Sequence, residues 1–267
     1  GNASIFSHFR PFFGLIEIYD DEVPASQVVK QIFHLKHFQR PISHLSWSPD
    51  GGFKIAITYC NTDFQRGNPG TSLNSYIWET ENPNQPLYTL SPSSPSICIE
   101  YHQKDTNALV SGQSNGQCCA WDTRTGPNPI SSTPREVCHR DSVNSVLWIN
   151  SKTGTEFFSG GADGQVIWWD TRKLNERLDV LYMDPVKSDE QVLERSYGIS
   201  VLEYETTIPT RFMVGSEQGM LFFCNRKGKS PMEKIALRVS FQPEHYHLQH
   251  LNGMEDFFRT WLFVTQI

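Results

Sequence analysis

Three residues near the middle of the chain are the side-chain types of a hydrolytic triad: His139, Ser159 and Asp163. A serine hydroxyl becomes a nucleophile when a histidine takes its proton and a carboxylate orients the imidazole. Such a serine normally lies in a Gly-x-Ser-x-Gly turn, close to backbone N–H groups that stabilise an oxyanion. Ser159 has neither feature around it. We therefore predict that these residues are not a hydrolase site.

Other apparent chemical motifs are incomplete. The tripeptide His139-Arg140-Asp141 echoes a kinase catalytic loop, but the Gly-rich loop, strand lysine and Asp-Phe-Gly are missing. The glycines of 160–164 have no Gly-Lys-Ser/Thr and no following helix that would cradle a phosphate. His245, His247 and His250 could share a metal-binding face, but no Cys or carboxylate ligand spacing accompanies them, and surface histidines are the ordinary explanation. The sequence thus predicts no catalytic residue, no metal and no cofactor.

The candidate triad lies inside a repeated strand pattern. The stretch 159–172 contains two short β-rich runs joined by Asp163-Gly164, a strong hairpin signal, and it closes with Trp169-Asp170. Related endings occur at Trp78, at Trp121-Asp122 and at Cys224, with steps of 43, 48 and 55 residues between the successive Trp or Cys positions. A period of about 40–45 residues with a Trp-Asp ending is typical of four-stranded propeller blades.

The pattern predicts an all-β chain that forms a β-propeller with an incomplete set of blades. About four full blades occupy residues 41–234, with inner strands near 44–47, 97–101, 144–148 and 199–203. Residues 1–40 are an N-terminal segment that could belong to a preceding blade, and residues 235–267 are an irregular segment that could supply part of another. We therefore expect an open arc of blades rather than a closed ring.

Two segments are predicted to lie outside the strands. Asn61 to Asn74 is rich in Gly and polar residues, which indicates a long surface loop, and Asp63, Phe64, Gln65 and Arg66 within it are candidate partner contacts. The alternative is a tolerated insertion. Residues 179–196 are acidic and helical in composition, and we expect a loop or short helix there.

Composition restricts the kinds of partner. The net charge of −6 argues against a nucleic-acid or anionic-membrane surface, which usually needs clustered Lys and Arg. The six cysteines show no Cys-x-x-Cys pair and no secreted-framework spacing, so we predict reduced thiols packed as small apolar side chains. This places the protein in a reducing compartment such as the cytoplasm, with protein partners.

Short motifs in consistent order link the repeats to one family within the WD40-repeat proteins. The motifs are 63–66, 75–78, 81–84, 151–156, 163–170, 213–219 and 224–227, and the resemblance that they carry covers about Pro41 to Lys234. Together they resemble the outer-arm axonemal dynein intermediate chains. That resemblance implies a non-catalytic subunit that binds the tail of a dynein heavy chain, pairs with a second WD40 intermediate chain and helps to hold light chains. It also implies an indirect link to the microtubule doublet and a location in the cytoskeleton of cilia and flagella. Relative to that family, we expect this sequence to lack the N-terminal extension and the later blades. The alternative is a general WD40 adaptor in another cytosolic complex.

The WD40 resemblance also gives the polar residues a structural role. His139, Ser159, Asp163 and Trp169 match a buried hydrogen-bonding tetrad, in which Asp163 orients His139 and Ser159 bridges to the indole N–H. The other repeats retain only parts of this tetrad. The second repeat has Ser111, Asn115 and Trp121, and the fourth has Gln218 at the position of the aspartate. The blade endings are expected at Trp78, Trp121, Asp122, Trp169, Asp170 and Cys224.

Overall fold

Four antiparallel sheets of four strands each make up the described part of the chain. The computed structural model describes residues 40–61, 72–81, 85–186, 191–204 and 210–226, and the backbone of 237–238. The first sheet contains β1 (Ile42–Trp47), β2 (Lys54–Tyr59), β3 (Ser75–Glu79) and β4 (Tyr88–Leu90), and the second contains β5 (Ser96–Tyr101), β6 (Ala108–Gln113), β7 (Cys118–Asp122) and β8 (Ser131–Ser132). The third contains β9 (Val143–Trp148), β10 (Glu156–Gly161), β11 (Gln165–Asp170) and β12 (Asp179–Tyr182), and the fourth contains β13 (Ile199–Tyr204), β14 (Arg211–Ser216), β15 (Met220–Asn225) and β16 (Leu237–Arg238).

The hairpins between the second and third strands of the last three sheets turn at glycine. Gly116, Gly164 and Gly219 have φ values of 86°, 77° and 74°, a left-handed conformation that glycine adopts without steric cost. In the third sheet this turn sets Ser159 opposite Ile167 and Phe157 opposite Trp169. Because side chains two residues apart lie on the same face of a sheet, Ser159 and Trp169 become diagonal neighbours.

The sheets pack side by side in chain order through their inner strands. Strand β1 contacts β5, β5 contacts β9, and β9 contacts β13. Buried apolar side chains from adjacent sheets form shared cores, and the one between the third and fourth sheets includes Phe158, Trp168, Leu202, Phe212 and Phe222. Each sheet therefore buries its faces against its neighbours, as the blades of a propeller do.

This architecture confirms the predicted fold class: an all-β, incomplete propeller with four blades in the described part of the chain. The four inner strands lie within a residue or two of their predicted positions. Among the described residues, the only helical segment is the single 3₁₀ turn Leu193–Arg195, and no helix is long and apolar enough to cross a membrane. The predicted division of the chain at residues 40 and 234 stays a prediction, and the partner-loop residues Asp63 to Arg66 lie outside the described residues.

The prediction for residues 179–196 was wrong in its first part. Asp179–Tyr182 is β12, the outer strand of the third sheet, and it pairs with β11. As an outer strand it has one solvent-facing edge, and there polar side chains satisfy the backbone. The carboxylate of Asp179 accepts the N–H of Val180, and the amide oxygen of Gln191 accepts the N–H of Tyr182. Asp179 and Gln191 thus cap the outer edge of β12, whose remaining residues Val180, Leu181 and Tyr182 are apolar or aromatic.

Candidate functional site

Four successive segments of the third blade bring the four predicted tetrad residues together. His139 precedes β9, Ser159 lies in β10, Asp163 lies in the turn after β10, and Trp169 lies in β11. His139 Nδ1 is 3.0 Å from Asp163 Oδ1, and His139 Nε2 is 2.7 Å from Ser159 Oγ. The indole N–H of Trp169 donates to the same Ser159 Oγ over 2.8 Å. The chain of hydrogen bonds therefore runs from the turn carboxylate to the indole.

The donors and acceptors in this chain of hydrogen bonds are compatible with one another. An indole N–H can only donate, so the Ser159 oxygen accepts from Trp169. The two ring nitrogens of His139 are taken by Ser159 on one side and by Asp163 on the other. Every buried polar atom of the tetrad thus has a partner, which removes the cost of burying it.

Backbone groups hold the Asp163 carboxylate from the other side. It accepts the N–H of Arg140 at 2.9 Å and the N–H of Gln165 at 3.2 Å, and the Gln165 amide donates to it at 2.7 Å. Burial acts to raise the pKa of Asp163, but the hydrogen bond from His139 and the two backbone bonds outweigh it, and the pKa is lowered. Asp163 therefore ties the segment before β9 to the β10–β11 turn as a carboxylate.

The order Asp163, His139, Ser159 has the hydrogen-bond pattern of a hydrolytic triad, but its surroundings exclude nucleophilic attack. Ser159 has no exposed surface, and its oxygen already accepts the Trp169 N–H. A substrate carbonyl would have to enter the space filled by the buried Trp169 indole. The geometry is therefore that of a structural clamp within one blade.

The second sheet contains a shorter version of the same arrangement. Trp121 donates its indole N–H to Ser111 Oγ over 2.9 Å, and both residues are buried. Asn115, at the position of Asp163, hydrogen-bonds only locally to Gln117. The Trp–Ser bond is therefore retained where the histidine and the aspartate are not.

The first and fourth sheets replace the serine by an apolar side chain. The position of Ser159 is taken by Ile57 in β2 and by Val214 in β14, as the strand registers show. In the fourth sheet the predicted ending residue Cys224 is buried in the apolar core with Val214. In the first sheet Trp78, at the end of β3, is half-buried. A Trp ending thus marks the blade, but the polar clamp requires the serine on the neighbouring strand.

The Asp of each Trp-Asp ending pairs with an arginine two residues later. Asp122 accepts from the Arg124 side chain at 2.6 Å, and Asp170 accepts from Arg172 at the same distance. The hydrogen bond from Arg172 lowers the pKa of Asp170 to about 2, and Arg124 likewise lowers the pKa of Asp122. Because both arginines are largely exposed, these pairs fix turns at the surface and contribute little to stability.

Sequence reasoning missed the polar contacts that join one blade to the next. The Ser46 hydroxyl accepts the backbone N–H of Tyr101 at 2.9 Å, and the Glu100 carboxylate accepts the backbone N–H of Trp148 at 2.7 Å. Burial raises the pKa of Glu100 to about 8, even though the hydrogen bond from Trp148 opposes the shift. The available signal was a glutamate within the otherwise apolar run of β5.

The described residues offer no metal centre. No group of three or more His, Cys, Asp or Glu among them could hold an ion. His245, His247 and His250 lie outside the described residues. The six cysteines are free and buried, and burial raises the pKa of Cys98 and of Cys119 to about 12. These thiols are packing groups rather than metal ligands or nucleophiles.

One open groove lies where the outer part of the third blade meets the fourth. It encloses about 360 Å³ beside Trp168, Tyr182, Gln191 and Arg226. The Arg226 guanidinium lies 5.3 Å from the Trp168 ring centre and pairs with Glu156 at 3.4 Å. Its charge is therefore already balanced, and the groove offers no unpaired cation to an anionic ligand.

Comparison with known proteins agrees with the blade architecture. Residues 132–170 match the family model described as "WD domain, G-beta repeat", and this stretch contains the complete tetrad. The four-stranded sheets and the matched repeat make this a WD40-repeat chain.

Similar proteins indicate a particular group within the WD40-repeat proteins. The chain is 45% identical over 238 residues to "Dynein intermediate chain 3, ciliary" of Heliocidaris crassispina. The matched stretch covers 89% of this chain and 39% of that protein. It is 46% identical to "Dynein axonemal intermediate chain 2" of Rattus norvegicus, over 89% of this chain and 40% of the relative. It is 39% identical to "Dynein, 70 kDa intermediate chain, flagellar outer arm" of Chlamydomonas reinhardtii, over 83% and 39% of the two chains.

These matches confirm the resemblance found in the sequence. Over the matched stretch the chain belongs to the family of axonemal dynein intermediate chains. It spans about two fifths of the length of these relatives.

Proposed function

We propose that this chain is a scaffold part of the outer dynein arm of cilia and flagella, and that it acts by binding other proteins rather than by catalysis. The observation that carries the proposal is the identity of 45% to a ciliary dynein intermediate chain across 89% of the chain. The names of the relatives support a cytoskeletal, axonemal location.

The internal use of the reactive side chains supports a non-catalytic role. Ser159 and His139 are buried, and they form hydrogen bonds with each other and with Trp169 and Asp163. The one triad-like group in the described part of the chain therefore holds a blade together. Rigid sheets with variable connecting loops are a common support for protein-binding surfaces.

The partners in this proposal are the tail of a dynein heavy chain, a second WD40 intermediate chain and dynein light chains, with the microtubule doublet contacted indirectly. Loop residues Asp63, Phe64, Gln65 and Arg66 are proposed as contacts with the heavy chain. They combine an aromatic ring with both signs of charge, a mixture found in protein interfaces.

Affinity capture tests the proposal. The tagged chain is expressed in ciliated cells, and co-purifying proteins are quantified by mass spectrometry. We expect enrichment of dynein heavy chain and of a second intermediate chain. Recovery of a different cytosolic complex without dynein heavy chain would contradict the proposal and support the general adaptor.

The contact loop is tested in the same assay with a matched pair of variants. Replacing residues 63–66 by Gly and Ser should reduce heavy-chain recovery while the melting temperature stays unchanged. Replacing the exposed Gln103 and Lys104 of the second blade by alanine is the control and should leave recovery intact. Equal recovery from both variants would remove the loop from the proposed interface.

A further inference from the structure

The turn between the second and third strands of the second blade carries an asparagine followed by a glycine, Asn115-Gly116. The backbone nitrogen of the following residue can attack the side-chain amide carbon of an asparagine, and glycine, which has no Cβ, hinders this attack least. Asn115 is exposed, so water and hydroxide reach it. No other asparagine among the described residues precedes a glycine. Asn115 is therefore the asparagine of the described chain with the least hindered route to loss of its side-chain amide.

The reaction at such a site is deamidation through a five-membered imide. The Gly116 nitrogen loses its proton to hydroxide and bonds to Cγ of Asn115. The bond from Cγ to Nδ2 breaks, and the amide nitrogen takes a proton from water and leaves as ammonia. Water then opens the imide at one of its two carbonyl carbons. Opening at Cγ gives aspartate, and opening at the backbone carbonyl gives isoaspartate, in which the main chain runs through Cβ.

The folded turn holds the attacking nitrogen in place. The N–H of Gly116 donates to the carbonyl oxygen of Gln113 at 3.2 Å, and the Gly116 carbonyl oxygen accepts the N–H of His139 at 3.1 Å. The His139 carbonyl group lies so close that a Cβ on Gly116 would collide with it. Gly116 is therefore fixed between its own turn and the connecting segment 133–142, which leads into the third blade. Imide formation would remove the N–H that Gln113 accepts.

The side-chain amide under attack is held as well. Asn115 Oδ1 accepts the backbone N–H of Gln117 at 3.1 Å, and Asn115 Nδ2 donates to Gln117 Oε1 at 2.7 Å. Gln117 Nε2 donates in turn to the carbonyl oxygen of Thr133 at 2.7 Å, at the start of the connecting segment. Ring closure has to turn the Asn115 amide away from Gln117. The turn and the connecting segment must therefore separate before the imide can form.

The equivalent turn of the third blade already contains the aspartate product. There the sequence is Asp163-Gly164-Gln165, and Asp163 Oδ1 accepts the backbone N–H of Gln165 at 3.2 Å. Asp163 Oδ2 accepts the side-chain N–H of Gln165 at 2.7 Å. These two bonds join the same positions as the two bonds between Asn115 and Gln117. An aspartate at 115 therefore finds partners in the turn, whereas isoaspartate adds a backbone atom and displaces the bonds of Gly116.

We propose that Asn115 is a deamidation site that is blocked in the folded chain and reacts when the contact between the second and third blades opens. The hydrogen bonds with Gln113, Gln117 and His139 block it. Because deamidation is irreversible, the product remains after the blades close again. Aspartate at 115 restores the turn, and isoaspartate prevents it from closing. This modification is independent of the proposed role in the dynein arm.

Peptide mapping by mass spectrometry tests the proposal on the unaltered chain, incubated at mildly alkaline pH with and without urea. Asn252, which also precedes a glycine and lies outside the described residues, is the reference in urea, where the two asparagines should react at similar rates. Without urea, Asn115 should react at least about tenfold more slowly than in urea, because opening the turn costs free energy. Equal rates at Asn115 in the two conditions would overturn the block. No reaction at Asn115 in urea would overturn the site.

Two variants separate the parts of the proposal. Gln117→Ala removes the side-chain partner of the Asn115 amide and should speed deamidation in the absence of urea, whereas Gln103→Ala, at an exposed glutamine of the same blade, is the control and should not. Equal rates in these two variants would overturn the role of Gln117.

The aspartate product is tested directly with Asn115→Asp. This variant should melt at the temperature of the unaltered chain, because the turn offers aspartate the partners that Asp163 has in the third blade. A marked fall in melting temperature would overturn the statement that the turn accepts aspartate.

Discussion

The side-chain carboxyl group of Glu100 in β5 accepts the backbone N–H of Trp148 in β9 over 2.7 Å, and so joins the inner strands of two adjacent blades. The Trp148 indole N–H donates to the carbonyl oxygen of Glu100 at 3.2 Å, which closes the contact from the other side. An ionisable group is thus placed within an interface between blades. Its protonation therefore affects how tightly those blades associate.

The free energy of unfolding should fall as pH rises through the titration range of Glu100. Its pKa is raised from 4.5 to about 8, so between these values the folded chain binds a proton that the unfolded chain has lost. Raising the pH across this window removes that stabilisation. Glu100→Gln keeps an acceptor for Trp148 and cannot ionise. Urea titrations at pH 5 and pH 9 measure the free energy of unfolding of both proteins. Relative to the unaltered chain, the variant should be more stable at pH 9 than at pH 5. The same difference at both pH values would contradict the raised pKa of Glu100.

Replacing Trp169 by alanine should lower the free energy of unfolding by about 3–5 kcal/mol, because it leaves a cavity and removes the donor to Ser159. Trp169 has no exposed surface. Chemical denaturation measures the loss. Trp169→Phe, which keeps most of the volume but not the N–H, is the control and should lose less. An unchanged unfolding curve for the alanine variant would show that the indole is not the buried anchor described above.

The two Trp–Ser clamps should differ in their sensitivity to loss of the hydroxyl. Ser159→Ala removes the partner of His139 Nε2 and of the Trp169 indole N–H, whereas Ser111→Ala removes only that of the Trp121 indole N–H. We expect losses of about 2–4 and about 1–2 kcal/mol respectively, since each unsatisfied buried group has its own cost. The same denaturation assay compares them directly, and equal losses would argue against a contribution from His139.

The six thiols should react slowly with a thiol reagent in the folded chain and rapidly after unfolding. All six are buried, and burial raises the pKa of Cys98, Cys119 and Cys60 among them, so little thiolate is present near neutral pH. Counting modified cysteines by mass spectrometry over time measures the protection. Cys60 and Cys138 lie in the connecting segments outside the strands, and they should react before the strand thiols Cys98 and Cys119. Simultaneous reaction of all six would indicate global unfolding as the only route.

The sequence by itself determined the repeating unit. Trp121-Asp122 and Trp169-Asp170, each following a hairpin glycine, predicted the third strands and the turns before them, because this information is local to about ten residues. The resemblance to WD40 blades also selected His139, Ser159, Asp163 and Trp169, which the structure brings within hydrogen-bonding distance.

Only the tertiary structure decided how the units meet. Residues 179–182 are followed by an acidic and polar segment that obscures the strand-favouring Val180 and Tyr182, and they form β12 because β11 offers a free edge there. The contact between Glu100 and Trp148 and the fit of Ile199 over Gly160 join residues about 40–50 positions apart. No local propensity specifies such pairs, because they depend on the angle and spacing at which one packed sheet lies against the next.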